Sequence, residues 1–478
     1  MDFRPVAQVF GIIVVVLGLF SVFPGLADWM NDGPDTLVFL ASAGTMVFVG
    51  GILAIAFRAQ NRGLTLSQAF LLTPLCWFGL PLFAALPLHL GHQGLSWSNA
   101  YFEAVSGLTT TGSTVLSGLD SMPRGILLWR GLLQMLGGLG VIMIAIAVLP
   151  LLKIGGLQLL RTEFSEKTDK ALPRASQLAT AIAFIYFSLM GCCLVAYWTS
   201  GMQPFDALVH AMTTVATGGL STSDLSMGAF SAEAQWIAVF FMIAGSLPFV
   251  LLVRAFYGRP SILWQDSQVR AFLYFLGGLV LTVGILLWLN NLYPDPLTAL
   301  RIAALNIASV MTTTGFTSTD FQLWGSVSVP FFFFLMMVGG CTGSTTGSLK
   351  IFRWQILGME ARRQIDQTLD PKRVISRRYN GKPVPGEIAQ SVVVYLFIVL
   401  SLIGFGTAAL ALTGASFITA LSGSVTAISN VGPGLGPVIG PSGTFAPLSE
   451  GAKWILALLM VLGRLEVLTV LVLFDPGF

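Results

Sequence analysis

Four short polar segments recur along an otherwise apolar chain: LTTTGSTV (Leu108–Val115), ATGGLSTSD (Ala216–Asp224), TTTGFTSTD (Thr312–Asp320) and ISNVGPGLG (Ile428–Gly436). Aligned on Gly112, Gly219, Gly315 and Gly432, they lie 107, 96 and 117 residues apart. No carboxylate stands at the aligned position, so a ring of charges is disfavoured. What these segments offer is backbone carbonyls, which can replace the water shell of a cation when several point at one centre. The expected donors are Thr110, Thr111 and Gly112; Thr217, Gly218 and Gly219; Thr313, Thr314 and Gly315; and Asn430, Val431 and Gly432. Glycine suits a loop whose dihedrals a Cβ would forbid. Asp224 and Asp320, five residues past their glycines, read as attractors of cations at the mouth.

Such loops need a scaffold that keeps polar backbone away from lipid. Over half the chain is hydrophobic (55%), 10% is charged, and the mean hydropathy is +0.81. A membrane-spanning helix takes about 20 mostly apolar residues. Ten segments qualify, near 8–25, 37–57, 67–89, 126–150, 177–199, 234–253, 272–290, 329–355, 390–412 and 453–474. Strands of a β-barrel would alternate apolar and polar residues instead. Before each polar loop runs a short helical stretch, too short to cross: Trp97–Leu108, Pro204–Ala216, one opening on Pro294-Asp295-Pro296, and Ser416–Ser429. Proline in the first turn and nearby acidic residues are helix-start signals. A polar loop at membrane depth is tolerated only where protein buries it or a wet cavity receives it. Four of them imply one shared cavity.

The expected architecture is an all-α membrane protein: a two-helix hairpin (1–62) followed by four helix–loop–helix repeats, at 63–170, 171–262, 263–382 and 383–478. The segment near 8–25 reads as a retained helix, because Phe23-Pro24 follows where a signal peptide would carry small residues. With the N-terminus inside, twenty of the 25 basic residues fall on the cytoplasmic side, as the positive-inside rule requires. The same topology puts all four glycine loops outside and both termini inside. The linkers Lys153–Arg174 and Glu360–Glu387 are the long cytoplasmic ones. Their basic residues set topology, or dock a partner or anionic headgroups.

These motifs resemble the TrkH/KtrB/HKT superfamily of potassium transporters, nearest the bacterial TrkH branch. The resemblance rests on LTTTGST, ATGGLST, TTTGFTST and SNVGPGLG, together with GGCTGSTTGSLKIFR (Gly339–Arg353) and GRLEVLTV (Gly463–Val470), and covers essentially the whole chain. It implies potassium uptake across the cytoplasmic membrane, one pore per chain, homodimers, and a TrkA-like cytosolic nucleotide-binding regulatory subunit. In that superfamily a serine at the first-loop glycine is associated with sodium preference. Gly112 therefore implies potassium. The fourth loop departs from the threonine pattern with Asn430-Val431 before its glycine and Pro433 after it, which puts exact fourfold coordination in question.

Two further features stand out. The stretch Gly339, Gly340, Cys341, Thr342, Gly343, Ser344, Thr345, Thr346, Gly347 and Ser348 cannot favour continuous helix, with four glycines and five hydroxyls in ten residues. Small-residue helix packing would explain it. The resemblance implies an intramembrane gating loop. Arg464, placed mid-helix, would cost about 2.5–3.5 kcal/mol in lipid unless it faces a cavity or partner. It reads as a pore-facing cation that opposes leak, or as half of a buried ion pair.

A proton- or sodium-coupled symporter is the alternative function, with Glu103, Asp206, His210 and Glu466 as its candidate coupling groups. No phosphate loop with lysine, no zinc spacing and no nucleophile–base pair marks an enzyme. Neither cofactor nor nucleic acid is expected, potassium being the substrate and lipid the surroundings. Cys76, Cys192, Cys193 and Cys341 read as packing residues.

Overall fold

The structure, a computed structural model, describes residues 2–58, 64–147, 175–371 and 378–467. The whole Lys153–Arg174 linker, residues 372–377 with Lys372, Arg373 and Arg377, and the end of the last expected helix lie outside the described residues. Among those described, seven helices are long and apolar enough to cross a membrane. They are Arg4–Trp29, Thr36–Ala56, Ser67–Leu90 (with a short break), Arg124–Met143, Gln177–Thr199, Ser267–Leu289 and Gly386–Leu412. An eighth candidate is the pair Ala232–Gly245 and Phe249–Phe256, bent by 99°.

Helices Arg4–Trp29 and Thr36–Ala56 form the leading hairpin. They touch backbone to backbone: a Cβ on Gly11 would lie 2.6 Å from the Gly50 carbonyl oxygen, and one on Gly50 equally close to that of Gly11. Small residues at such crossings are how helices associate without a hydrophobic drive. The acidic turn is not free-standing. Asp28 accepts from the Gly125 amide at 2.5 Å and Asp35 from the His92 amide at 2.6 Å, fastening the hairpin to the first repeat.

Four half-helices follow at the expected places: Trp97–Leu108, Pro204–Val215, Pro296–Met311 and Phe417–Ser429. Three are capped by the residue before them. Ser96, Asp295 and Ser416 accept from the amides of Asn99, Thr298 and Thr419. The second starts on Pro204, whose missing N–H is no loss at a first turn.

Three of the expected spans depart from continuous helix. The one near 234–253 breaks at Ser246-Leu247-Pro248, where proline cannot donate to the ladder and its ring crowds the preceding turn. The one near 329–355 survives only as Ser328–Leu335, after which residues 336–350 are non-helical and a new helix, Ile351–Leu369, begins. The final helix is Glu450–Arg464, with Glu466 and Val467 at positive φ, so Arg464 sits at its C-terminal end and not mid-helix. A two-residue β-hairpin, Arg378–Tyr379 against Lys382–Pro383, adds the only strands among the described residues.

Candidate functional site

All four half-helices end in the same turn. The amides of Thr111, Gly218, Thr314 and Val431 donate to the carbonyls of Ser106, Thr213, Ser309 and Thr426, each five residues back, at 2.8–3.1 Å. This is the six-to-one bond of a Schellman cap, which needs one left-handed residue before the donor. That residue is Thr110, Thr217, Thr313 or Asn430, with φ of 51–55°. Asparagine tolerates this region, whereas a β-branched threonine there is strained. Two residues on come Gly112, Gly219, Gly315 and Gly432, again at positive φ (87, 74, 90 and 111°).

The four glycines meet. A Cβ on Gly112 would lie 2.2 Å from the Gly218 carbonyl oxygen, one on Gly219 1.8 Å from that of Thr314, and one on Gly315 2.4 Å from that of Val431. The ring closes from Gly432 to the Thr111 carbonyl oxygen at 2.9 Å. Each loop thus abuts the next in chain order, and no side chain larger than hydrogen fits between them. The partly negative C-terminal ends of four half-helices converge on this ring.

Beyond the ring opens a cavity of about 310 Å³, lined by all four glycines and by Ser113, Thr114, Thr317 and Asp224 among others. The outer segments interlock in the same cyclic order. Asp224 accepts from Gly118 N, Gly228 N donates to the Thr317 carbonyl, Gly436 N to Gln322, and Phe445 N to the Thr114 carbonyl. Asp224 and Asp320, expected at the mouth, also brace these segments: Asp224 accepts from Leu119 N as well, and Asp320 caps the turn at Gln322.

Each loop is also held from its own half-helix by a side chain nine or ten residues before the glycine. Glu103 accepts from Val115 N and the Thr114 hydroxyl at 2.9 Å. His210 meets Ser221 at 3.0 Å, Asn306 bonds Ser318 at 2.9 Å, and Ser422 takes the Leu435 amide at 3.0 Å. Asn306 and Ser422 escaped the sequence reading, although aligning the repeats backwards from the glycine places Asn306 in register with Glu103 and His210, and Ser422 one residue earlier. Arg130 pairs with Glu103 at 2.8 Å, both fully buried, and reaches the Ser221 carbonyl of the next loop. Gln134, also missed, donates to the Gly218 carbonyl and accepts from Leu220 N.

At the opposite end of the ring from the cavity lies the 336–350 loop. Thr345 donates to the Gly245 and Val215 carbonyls, and the Gly347 amide donates to the Thr313 hydroxyl at 2.7 Å. A Cβ on Gly347 would lie 2.4 Å from the Ser429 carbonyl oxygen. Gly339, Gly340, Thr342, Gly343, Ser344 and Thr346 belong to the same excursion, which thus spans the inner ends of three half-helices. Arg464 is buried and donates to the Thr345 carbonyl at 2.9 Å, and no carboxylate among the described residues pairs with it. Glu466 pairs instead with Arg353 at 2.5 Å. Lys350, counted in the sequence among the cytoplasmic basic residues, is buried and donates to the Thr346 carbonyl and hydroxyl.

The family model for TrkH, a cation transport protein, matches residues 37–476. The chain belongs to the TrkH family. It is 41% identical to the Trk system potassium uptake protein TrkI of Halomonas elongata, over 99% of this chain and 96% of that one. It is 34% identical to the Trk system potassium uptake protein TrkH of Escherichia coli K12, over 100% and 99%. The crystal structure of the potassium transporter TrkH from Vibrio parahaemolyticus superposes with a TM-score of 0.92 at 32% identity, covering 100% and 99% of the two chains. TrkH membership makes this a multi-span membrane protein of a transport family, not an enzyme.

Proposed function

We propose that this chain is the potassium-conducting subunit of a Trk-type uptake system, with the glycine ring as its selectivity filter. The observation that carries the reading is the closed ring: four backbone turns in chain order, each pressed against the next, at the meeting point of four helix C-termini. Carbonyls of Thr110 to Gly112, Thr217 to Gly219, Thr313 to Gly315 and Asn430 to Gly432 supply the oxygens, and potassium is substrate, with no cofactor involved. Neutral oxygens and helix ends favour a dehydrated monovalent cation without trapping it as a ring of carboxylates would. The named function of the relatives supports potassium in particular.

The 336–350 loop, bridging three half-helices on the far side of the ring, acts as the gate, and Arg464 holds it shut through Thr345. On this reading ten spans are reached by adding the bent pair, the broken helix and the final helix to the seven long ones. The bias of basic residues supports a bacterial inner-membrane orientation with both termini and the gate side in the cytoplasm. A homodimer and a TrkA-like nucleotide-binding subunit complete the assembly. Coupled symport is not favoured, because Glu103, Asp206, His210 and Glu466 all have internal partners.

The test is potassium-uptake complementation in bacteria lacking their own uptake systems. Wild type restores growth at low potassium, and Gly112→Ser loses potassium-over-sodium preference. Unaltered preference in correctly inserted Gly112→Ser protein would remove the ring from the role of filter.

A further inference from the structure

Four hydrogen bonds from three different parts of the chain converge on the consecutive residues Asp266, Ser267 and Gln268, where the first helix of the third repeat begins. Asp266 Oδ1 caps that helix, accepting from the Gln268 and Val269 amides at 2.9 and 3.1 Å. Its other oxygen accepts from Asn380 Nδ2 at 2.9 Å, and Asn380 Oδ1 accepts from the Ser267 amide at 2.9 Å. Gln355, on the helix that leaves the 336–350 loop, donates to the Ser267 carbonyl at 3.0 Å. Gln268, 3% exposed, accepts from the Thr342 amide inside that loop at 2.9 Å.

The geometry is unusual for a plain helix start. Capping needs Asp266 alone. The Gln268 side chain takes no part in the cap, to which only its backbone amide donates, and spends its amide oxygen on a loop 74 residues away. Asn380 opens the Asn-Gly turn of the small hairpin, with both turn residues at positive φ (47 and 80°), the pattern of a tight two-residue connection. A rigid hairpin tip therefore grips the knot from one side, and the buried loop is gripped from the other.

We infer that Gln268 is a positioning residue for the intramembrane loop, and that residues 266–268 relay to it the placement of the 378–383 hairpin and of helix Ile351–Leu369. The inference rests on the gate reading of that loop. Losing the Gln268 acceptor leaves the Thr342 amide buried without a partner, and the loop then exchanges that position for others. A force on the hairpin has the same effect through Asn380.

The experiment is rubidium uptake into liposomes holding the purified full-length protein and nothing else. The variants are Gln268→Met, Gln268→Glu, Asn380→Ala, the Gln268→Met/Asn380→Ala double, and Arg464→Ala. Expected is a rise of about fivefold or more for Gln268→Met and Asn380→Ala, the low end of ordinary site-to-site coupling. Gln268→Glu, which keeps an acceptor oxygen at the same reach, stays at wild type, and the double variant exceeds neither single. Hydrogen exchange at the Thr342 amide, faster in Asn380→Ala, reads the relay even if Gln268→Met inserts poorly. Wild-type flux and exchange in Gln268→Met and Asn380→Ala, beside raised flux in Arg464→Ala, would overturn the relay and leave the gate standing. Unchanged flux in all of them would take the gate reading away as well.

Discussion

The backbone amide of Gly347 donates to the Thr313 hydroxyl at 2.7 Å, so the intramembrane loop is bonded directly to a turn of the glycine ring. Thr313 is one of the left-handed threonines, and Thr217, its counterpart one repeat earlier, donates to Thr345 of the same loop at 3.0 Å. The strained residues are thus also the ones that hold the loop. Thr313→Val keeps the shape and removes the acceptor. It is expected to cost about 1–3 kcal/mol, the penalty of an orphaned buried donor. Thermal melting in detergent reads the loss, Thr313→Ser restores it, and uptake without any regulator rises in the valine variant alone.

Gly219→Ala should abolish uptake while the protein still reaches the membrane. Its Cβ would lie 1.8 Å from the Thr314 carbonyl oxygen, and its φ of 74° is itself costly for alanine. Gly278→Ala is the control. That glycine lies mid-helix with open space around it, so alanine there is expected to stabilise by about 1 kcal/mol and leave uptake intact. Loss of uptake in both, or in neither, would count against the ring.

Glu103 and Arg130 form a pair with neither side chain more than 2% exposed. Removing one partner strands a buried charge, at about 3–5 kcal/mol. Glu103→Gln and Arg130→Met should each lower the melting temperature sharply, and the double variant should recover part of the loss. Additive losses would show that the two act independently. Because both touch the first loop, potassium-over-sodium discrimination is expected to fall in each single variant.

Arg464→Ala should raise rubidium flux, since its guanidinium is the tether on the Thr345 carbonyl. Arg464→Lys, with fewer donors on a flexible stem, is expected to fall between the two. Flux equal to wild type in well-inserted Arg464→Ala protein would assign the residue a packing role only.

Much of this was legible in the amino-acid order because its signals are local. The half-helices announce themselves by Ser96, Asp295 and Ser416 ahead of short apolar runs, and the ring by glycines at repeating distances. What stayed hidden depends on elements meeting in space. Glu103 and Arg130 are 27 residues apart on different helices, and nothing in their neighbours announces the pairing. The helix end at Arg464 was obscured by the apolar run VLTVLVLF after it, which reads as uninterrupted span. Pro248 did carry a signal for the 99° bend, but apolar residues on either side masked it. The bracing roles of Asp224 and Asp320 stayed hidden because their partners are backbone amides, which composition cannot reveal.

The joints of the ring are unequal. Three carbonyls approach within 1.8–2.4 Å of where a neighbour's Cβ would stand, while the fourth, between Gly432 and Thr111, leaves 2.9 Å. That looser joint is the seam where the last-made loop closes on the first. A side chain at Gly432 would meet less overlap than at its three counterparts, yet its φ of 111° strains any L residue there, so slack at the seam gives no licence to replace that glycine.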